Sequence, residues 1–99
     1  MVIFVDIDNT ICENNDNLDY SKSTPIKNRI NEINNLYDNG HKIIYWTARG
    51  TISRIDWKDI TIKQFKDWGV KYHELKFEKP YFDLFIDDKA INTSNFFNV

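Results

Sequence analysis

The sequence predicts an α/β fold: a single Rossmann-like domain with a small, mainly parallel sheet flanked by helices. Three observations carry that prediction. Apolar runs of strand length recur at Val2-Ile3-Phe4-Val5, Ile43-Ile44-Tyr45-Trp46 and Phe82-Asp83-Leu84-Phe85-Ile86. Between the first two, apolar residues fall at helical spacing. Each run is followed at once by polar residues, Asp6-Ile7-Asp8, Thr47-Ala48-Arg49 and Asp87-Asp88, so in a parallel sheet the three polar ends meet along one edge.

The first strand reads as buried on both faces, because its apolar run is unbroken. It ends in two carboxylates one residue apart, and strand alternation points Asp6 and Asp8 to the same side. Two uncompensated charges there repel unless a cation or a shared proton lies between them. The following segment, residues 11–23, is rich in Asn and Asp and holds no period, which predicts a loop or a small flap. Leaving from the acidic strand end, it could cover a bound ligand or simply connect two elements.

Thr24 as N-cap and Pro25 at the first helical position open a helix whose apolar stripe is Ile26, Ile30, Ile33 and Tyr37. Asn39-Gly40 ends it. The strand, helix and strand then form a right-handed crossover, which makes the first two strands parallel. Asp56 caps a second helix that turns Trp57, Ile60, Phe65 and Trp68 to the core and stops at Gly69. Val70 to Leu75 is less apolar and reads as a third strand at an edge. Lys79-Pro80 interrupts the chain, and Phe82 to Ile86 forms a fourth strand. With that strand on the far side of the first, the sheet order is 3-2-1-4 and a crevice opens beside Asp6. The tail is expected to hold one short helical turn and an aromatic anchor at Phe96-Phe97.

The 99 residues suffice for one domain, 1–99, able to bury roughly 60–65% of its unfolded surface. A net charge of −2 with both signs interspersed gives no field to attract a polyanion, so no general nucleic-acid surface is expected. No apolar run approaches the roughly 20 residues of a membrane span. A lone cysteine, Cys12, excludes an internal disulfide framework, and with no leader pattern the expected compartment is cytoplasmic.

If the polar strand ends converge, Asp6, Asp8, Asp87 and Asp88 surround one lysine, Lys79, and leave a surplus of negative charge. A hard divalent cation with oxygen ligands neutralises such a set, and Mg2+ fits best. Asp6-Ile7-Asp8-Asn9-Thr10, Thr47, Lys79 and Asp87-Asp88, in that order and each at the end of its expected element, resemble the four motifs of the haloacid dehalogenase-like superfamily. Tyr45 to Gly50 and Lys79 to Ala90 are similar to small stand-alone hydrolases of that superfamily associated with surface-polysaccharide or sugar-nucleotide metabolism.

The resemblance implies a magnesium-dependent phosphatase that hydrolyses a phosphomonoester through an aspartyl-phosphate, with a sugar phosphate or a nucleotide as candidate substrate. Asp6 would be the nucleophile, Asp8 the acid and base, Thr47 a donor to a phosphoryl oxygen, and Lys79 the group holding Asp6 and the phosphoryl charge in place. Asp87, the Asp6 carboxylate and the Asp8 carbonyl would bind Mg2+, with Asp88 assisting. Thr10 would close the turn with its hydroxyl, and with Thr47, Ala48, Arg49 and Lys79 it would line the substrate site. Arg49 has two readings, an anchor for the substrate's anionic part or the partner of an acid on the flap. His41, His73 and the three tryptophans read as structural. The intervals between motifs leave no room for a cap domain, so the resemblance implies a large or extended substrate, or a homo-oligomer that covers the open site. Two alternatives stay open: a phosphotransferase using the same intermediate, and a non-catalytic magnesium- or phosphate-binding regulatory module.

Overall fold

The computed structural model describes residues 1–14 and 19–97. Its central sheet holds three parallel strands in the order β1 (Val2–Val5), β4 (Lys42–Trp46), β5 (Glu74–Lys76), with β2 (Cys12–Glu13) and β3 (Thr24–Pro25) paired apart as a short antiparallel ribbon. Helix α1 (Lys27–Asp38) connects β1 to β4, and α2 (Lys58–Trp68) connects β4 to β5. Val5 lies opposite Tyr45, and Tyr45 opposite Leu75, so all three strands end at one edge.

Two successive right-handed crossovers in the same direction place both helices on one face of the sheet. Alternate residues Ile3, Val5, Ile43 and Tyr45 turn to that face and join Ile30 and Ile33 of α1 and Phe65 and Trp68 of α2 in the core. The ring of Tyr45 meets Phe65 edge to face at 4.9 Å. Among the described residues no helix closes the other face. Val2 is 64% and Phe4 54% exposed, although Ile44 beside Phe4 is buried. The expectation that β1 is buried on both faces therefore fails, because the crossover helices α1 and α2 both lie on one side.

Helix α1 begins later than its cap signal suggested. Thr24 and Pro25 pair with Glu13 and Cys12, and the Ile26 N–H donates to the Ile11 carbonyl at 2.8 Å, so these residues tie down the flap before the helix starts. Proline suits that edge position because it has no N–H to satisfy. Helix α2 starts and stops near its signals, but the residues it buries are Thr61, Gln64, Phe65 and Trp68, while Trp57 and Ile60, expected in the core, stay partly exposed outside it. The Asp56 carboxylate accepts from the Lys58 N–H at 2.9 Å, and Gly69 ends the helix at φ 72°, in the left-handed region that favours glycine. The third strand is shorter than expected but does lie at the edge, and the tail turns once in α3 (Thr93–Phe96), with Phe96 and Phe97 half-buried against the core.

The fourth strand does not form: Phe82 to Ile86 is irregular and exposed throughout, and the fourth place in the expected 3-2-1-4 order is unfilled among the described residues. The tether explains why. The Lys79 N–H donates to the Thr47 carbonyl at 3.0 Å, which fixes Lys79 at the carboxyl edge of the sheet. A strand beside β1 that brought Asp87 level with Asp6 would start Phe82 about 17 Å away, at the opposite edge. Three residues from Lys79 to Phe82 reach at most about 11 Å. The same chain cannot hold Lys79 at the site and run Phe82–Ile86 along its own β1 in the parallel sense.

Candidate functional site

Asp6 follows directly on β1, and Lys79 arrives opposite it because two bonds pin the lysine's backbone. One is the bond to Thr47, and the other is donated by the Thr51 hydroxyl to the Lys79 carbonyl at 2.8 Å. The lysine Nζ stands 3.6 Å from Asp6 Oδ1 and lies over the rings of Trp46 and Phe82 at 5.9 and 5.4 Å. Burial pushes the Asp6 carboxyl above its ordinary value, while the Lys79 ammonium pulls it back down. A half-buried carboxylate facing one ammonium is held in place and only partly neutralised, a suitable state for a group that must meet an electrophile.

Asp8 is held differently. The Arg49 guanidinium donates from Nε to both carboxylate oxygens, at 3.2 and 3.1 Å, and from Nη2 to Oδ1 at 2.9 Å. Arg49 itself is 2% exposed. A buried guanidinium needs acceptors for its remaining protons, and α2 provides them: Nη1 donates to Thr61 Oγ1 at 3.0 Å and to Gln64 Oε1 at 2.7 Å. Tyr20, from the flap, lays its ring 4.8 Å from the guanidinium carbon and also meets Trp57 edge to face at 5.1 Å. Arg49 is thus the partner of Asp8, whereas the sequence suggested a substrate anchor or the partner of an acid on the flap. The immediate charged neighbour of Asp8 is this cation.

Thr47 is buried immediately after β4. Its hydroxyl oxygen accepts from the Arg49 N–H at 3.1 Å, which leaves the hydroxyl proton to donate elsewhere. Ala48 is exposed, and its carbonyl accepts from the Thr51 N–H in the turn. The turn after β1 is closed by the backbone, since Thr10 and Ile11 both donate to the Ile7 carbonyl at 3.1 and 2.9 Å. The Thr10 hydroxyl, expected to do this, instead reaches Thr93 Oγ1 at 2.8 Å and Asp6 Oδ2 at 3.5 Å. It ties the tail to the site.

The structure therefore gathers Asp6, Asp8, Thr10, Thr47, Arg49 and Lys79, and leaves Asp87 and Asp88 on the exposed arm, outside that group. Among the described residues no three His, Cys, Asp or Glu side chains stand close enough together to hold a metal ion. The Asp6 carboxylate and the Asp8 carbonyl are oxygen donors of the kind Mg2+ takes, but one chain brings only that half of the expected ligand set together. Beside Arg49 the surface opens into a cleft of about 610 Å3, lined in part by Arg54, Lys58, Trp57 and Phe77. Gly50 shapes its wall at φ 81°: a Cβ there would collide with the Ile55 carbonyl oxygen.

Cys12 contacts Asp8 Oδ1 through its Sγ at 3.5 Å, but burial pushes its thiol up to about 12, so it stays neutral. Sequence reasoning missed Thr61, Gln64 and Tyr20. The signal for the first two was present: polar residues at core-facing helical positions, spaced 3 apart, demand a buried partner.

No family model and no curated protein matches the sequence. The fold is similar to that of a structural-genomics target from Vibrio cholerae, solved by crystallography, with a TM-score of 0.88 and 25% identity over 100% of this chain and 89% of that one. No helix among the described residues is long and apolar enough to cross a membrane.

Proposed function

We propose that the protein is a magnesium-dependent phosphatase of the haloacid dehalogenase-like type, acting on a phosphomonoester through an aspartyl-phosphate on Asp6. The observation that carries this reading is the pairing at the strand ends. Two carboxylates one residue apart have separate cationic partners, Lys79 at 3.6 Å from Asp6 and Arg49 at 2.9 Å from Asp8. A site that only binds an ion has no need to hold its two acids in such different surroundings.

The residues divide the work accordingly. An Asp6 oxygen attacks phosphorus, the bond to the leaving oxygen breaks, and Asp8 supplies the proton that this oxygen takes up. Asp8, now ionised, removes a proton from water as its oxygen attacks phosphorus, and inorganic phosphate leaves Asp6. Lys79 balances charge at the nucleophile, and the Thr47 hydroxyl donates to a phosphoryl oxygen. Arg49 acts through Asp8 by fixing the direction of its carboxyl group. Mg2+, held by Asp6, the Asp8 carbonyl, Asp87 and Asp88, would neutralise the phosphoryl oxygens.

This reading includes no cap domain. The open cleft beside Arg49, with Arg54 and Lys58 on its wall, supports an extended and anionic substrate such as a phosphorylated sugar or a nucleotide. Turnover of an aryl phosphate that requires magnesium, stops on chelation and is lost in Asp6→Asn supports the proposal. Purified protein with no such turnover on aryl, sugar or nucleotide phosphates overturns it.

A further inference from the structure

The arm formed by residues 80–91 exposes a run of large apolar side chains to solvent. Leu84 is 76% and Ile86 87% exposed, and Tyr81, Phe85 and Ile91 are also open to solvent. Among the described residues β1 has a strand partner on one side only; Val2 and Phe4 are exposed at the other, where the tail residues Ile91, Thr93 and Phe96 leave a cavity against Ile3 to Asp6. An unpaired edge strand with apolar neighbours is a template for another strand. The tether at Lys79 keeps the chain's own arm from running beside β1 in the parallel sense over the full length Phe82–Ile86, and in the structure the arm stays exposed.

Charge leads to the same partner. Within one copy, Asp6 pairs with Lys79 and Asp8 with Arg49, two acids against two bases. That set has no surplus negative charge for a divalent cation, and the two carboxylates that would restore it, Asp87 and Asp88, end the exposed apolar segment. We propose that the protein works as a dimer of identical chains, in which the arm of each copy lies along the open β1 edge of the other and delivers Asp87 and Asp88 beside the other's Asp6 and Asp8. The delivery of metal ligands rests on the phosphatase reading, whereas the interface does not.

The area is adequate. At about 100 Å2 for each of the large apolar side chains, an arm buries on the order of 400–500 Å2. With the β1 face that it covers, the total approaches the roughly 800 Å2 per partner of a standard interface. Exchange is reciprocal, so both edges and both arms are satisfied by one two-fold axis.

Light scattering of the full chain should give twice 11.9 kDa at micromolar concentration. Leu84→Asp with Ile86→Asp, which replaces only exposed residues, should give a monomer with unchanged circular dichroism. A monomeric wild type, or a dimer indifferent to those substitutions, overturns the exchange. The ligand delivery is tested by refolding Asp6→Asn and Asp87→Asn chains together at equal amounts and assaying an aryl phosphate with magnesium. Each alone should be inactive. In an exchanged dimer the mixed species assembles one intact site of two, so about a quarter of the wild-type rate returns. An active wild type whose mixture recovers nothing overturns the delivery. A wild type that is dimeric through the arm but turns over no phosphoester overturns the phosphatase reading and leaves the exchange standing.

Discussion

Two pairs of acids end apolar runs in this chain, and they have opposite fates. Asp6 and Asp8 are built into the body, each facing a cation that other elements hold rigidly. Asp87 and Asp88 sit on an arm whose residues are exposed from Pro80 to Asn92. In the sequence the two look alike: an apolar strand-length run, then carboxylates. What separates them is the chain on either side. Asp6 follows a strand whose hydrogen-bonded neighbour, β4, is brought alongside by a full helical crossover, while the arm has three residues in which to reverse direction. Composition decides whether a segment wants to be a strand, and tether length decides whether it can reach a partner.

The sharpest way to break this comparison is at the acids themselves. Asp6→Asn should lower aryl phosphate turnover by at least about 10^3-fold, whereas Asp83→Asn, at an exposed arm carboxylate that accepts from the Tyr81 hydroxyl, should stay within about twofold of wild type. Equal effects of the two substitutions in a steady-state assay would erase the distinction between body and arm.

Stability should divide in the same way. Phe65 is buried against Tyr45 and Tyr72, so Phe65→Ala should cost about 3–5 kcal/mol in urea unfolding. Leu84→Ala should cost less than about 0.5 kcal/mol in dilute protein, where any second copy has dissociated. A large loss for Leu84→Ala at high dilution would mean that the arm packs on its own body.

Much of the body was legible because its signals are local. The β1 run and its acids, the stripe of α1, the stop at Gly69 and the edge position of the third strand all follow from periodicity and turn chemistry over a few residues. Asp6, Thr47 and Lys79 could be placed at one edge because parallel strands align their ends. The start of α1 was misread because Thr24 and Pro25 satisfy a capping pattern and an edge-strand pattern equally well, and Cys12 and Glu13, distant in sequence, decide between them. Arg49 was not matched to Asp8 because the two are 41 residues apart, and only the fold brings them to 2.9 Å. The fourth strand failed for a reason that counting residues after Lys79 could have exposed, had Lys79 been fixed first.

Arg49 offers a finer test of the body. Removing its guanidinium leaves Asp8, Thr61 and Gln64 without their shared partner, so Arg49→Gln should cost about 2 kcal/mol of stability. It should also displace the pH profile of kcat, because Asp8 loses the group that orients it. Arg49→Lys should restore little, since one ammonium cannot reproduce donation to both carboxylate oxygens. A profile unchanged in Arg49→Gln would mean that the arginine is structural.

A smaller effect is expected from the charge on Asp6. Its folded-state pKa lies above the ordinary 3.8, chiefly through burial, so the protonated form is the one the fold favours. The stability it contributes is fully present below pH 3.8 and is lost as pH rises through the folded value. In EDTA, Asp6→Asn should therefore be more stable than wild type at pH 7, with a gap that narrows toward pH 4. A gap that widened on acidification would show that the Lys79 pairing, and not burial, governs this carboxyl.

A modest gain is predicted in the core beneath the site, at Tyr45. Its ring fills the space between β4 and α2, meeting Phe65 at 4.9 Å and Tyr72 at 6.4 Å, and the side chain is fully buried. Its hydroxyl has no hydrogen-bond partner among the described residues. Burial pushes that hydroxyl's pKa upward, so it stays neutral and contributes no charge to the site. A buried hydroxyl without a partner forfeits the bond it made to water in the unfolded chain, and the ring's packing owes nothing to the oxygen. Tyr45→Phe keeps the ring and removes the unpaired group, so it should raise stability by about 1 kcal/mol and leave turnover unchanged. Paired urea unfolding curves of equal slope measure the difference. A loss of stability in Tyr45→Phe would mean that an ordered water bonds this oxygen, and the core would then hold a polar contact that its side chains alone do not provide.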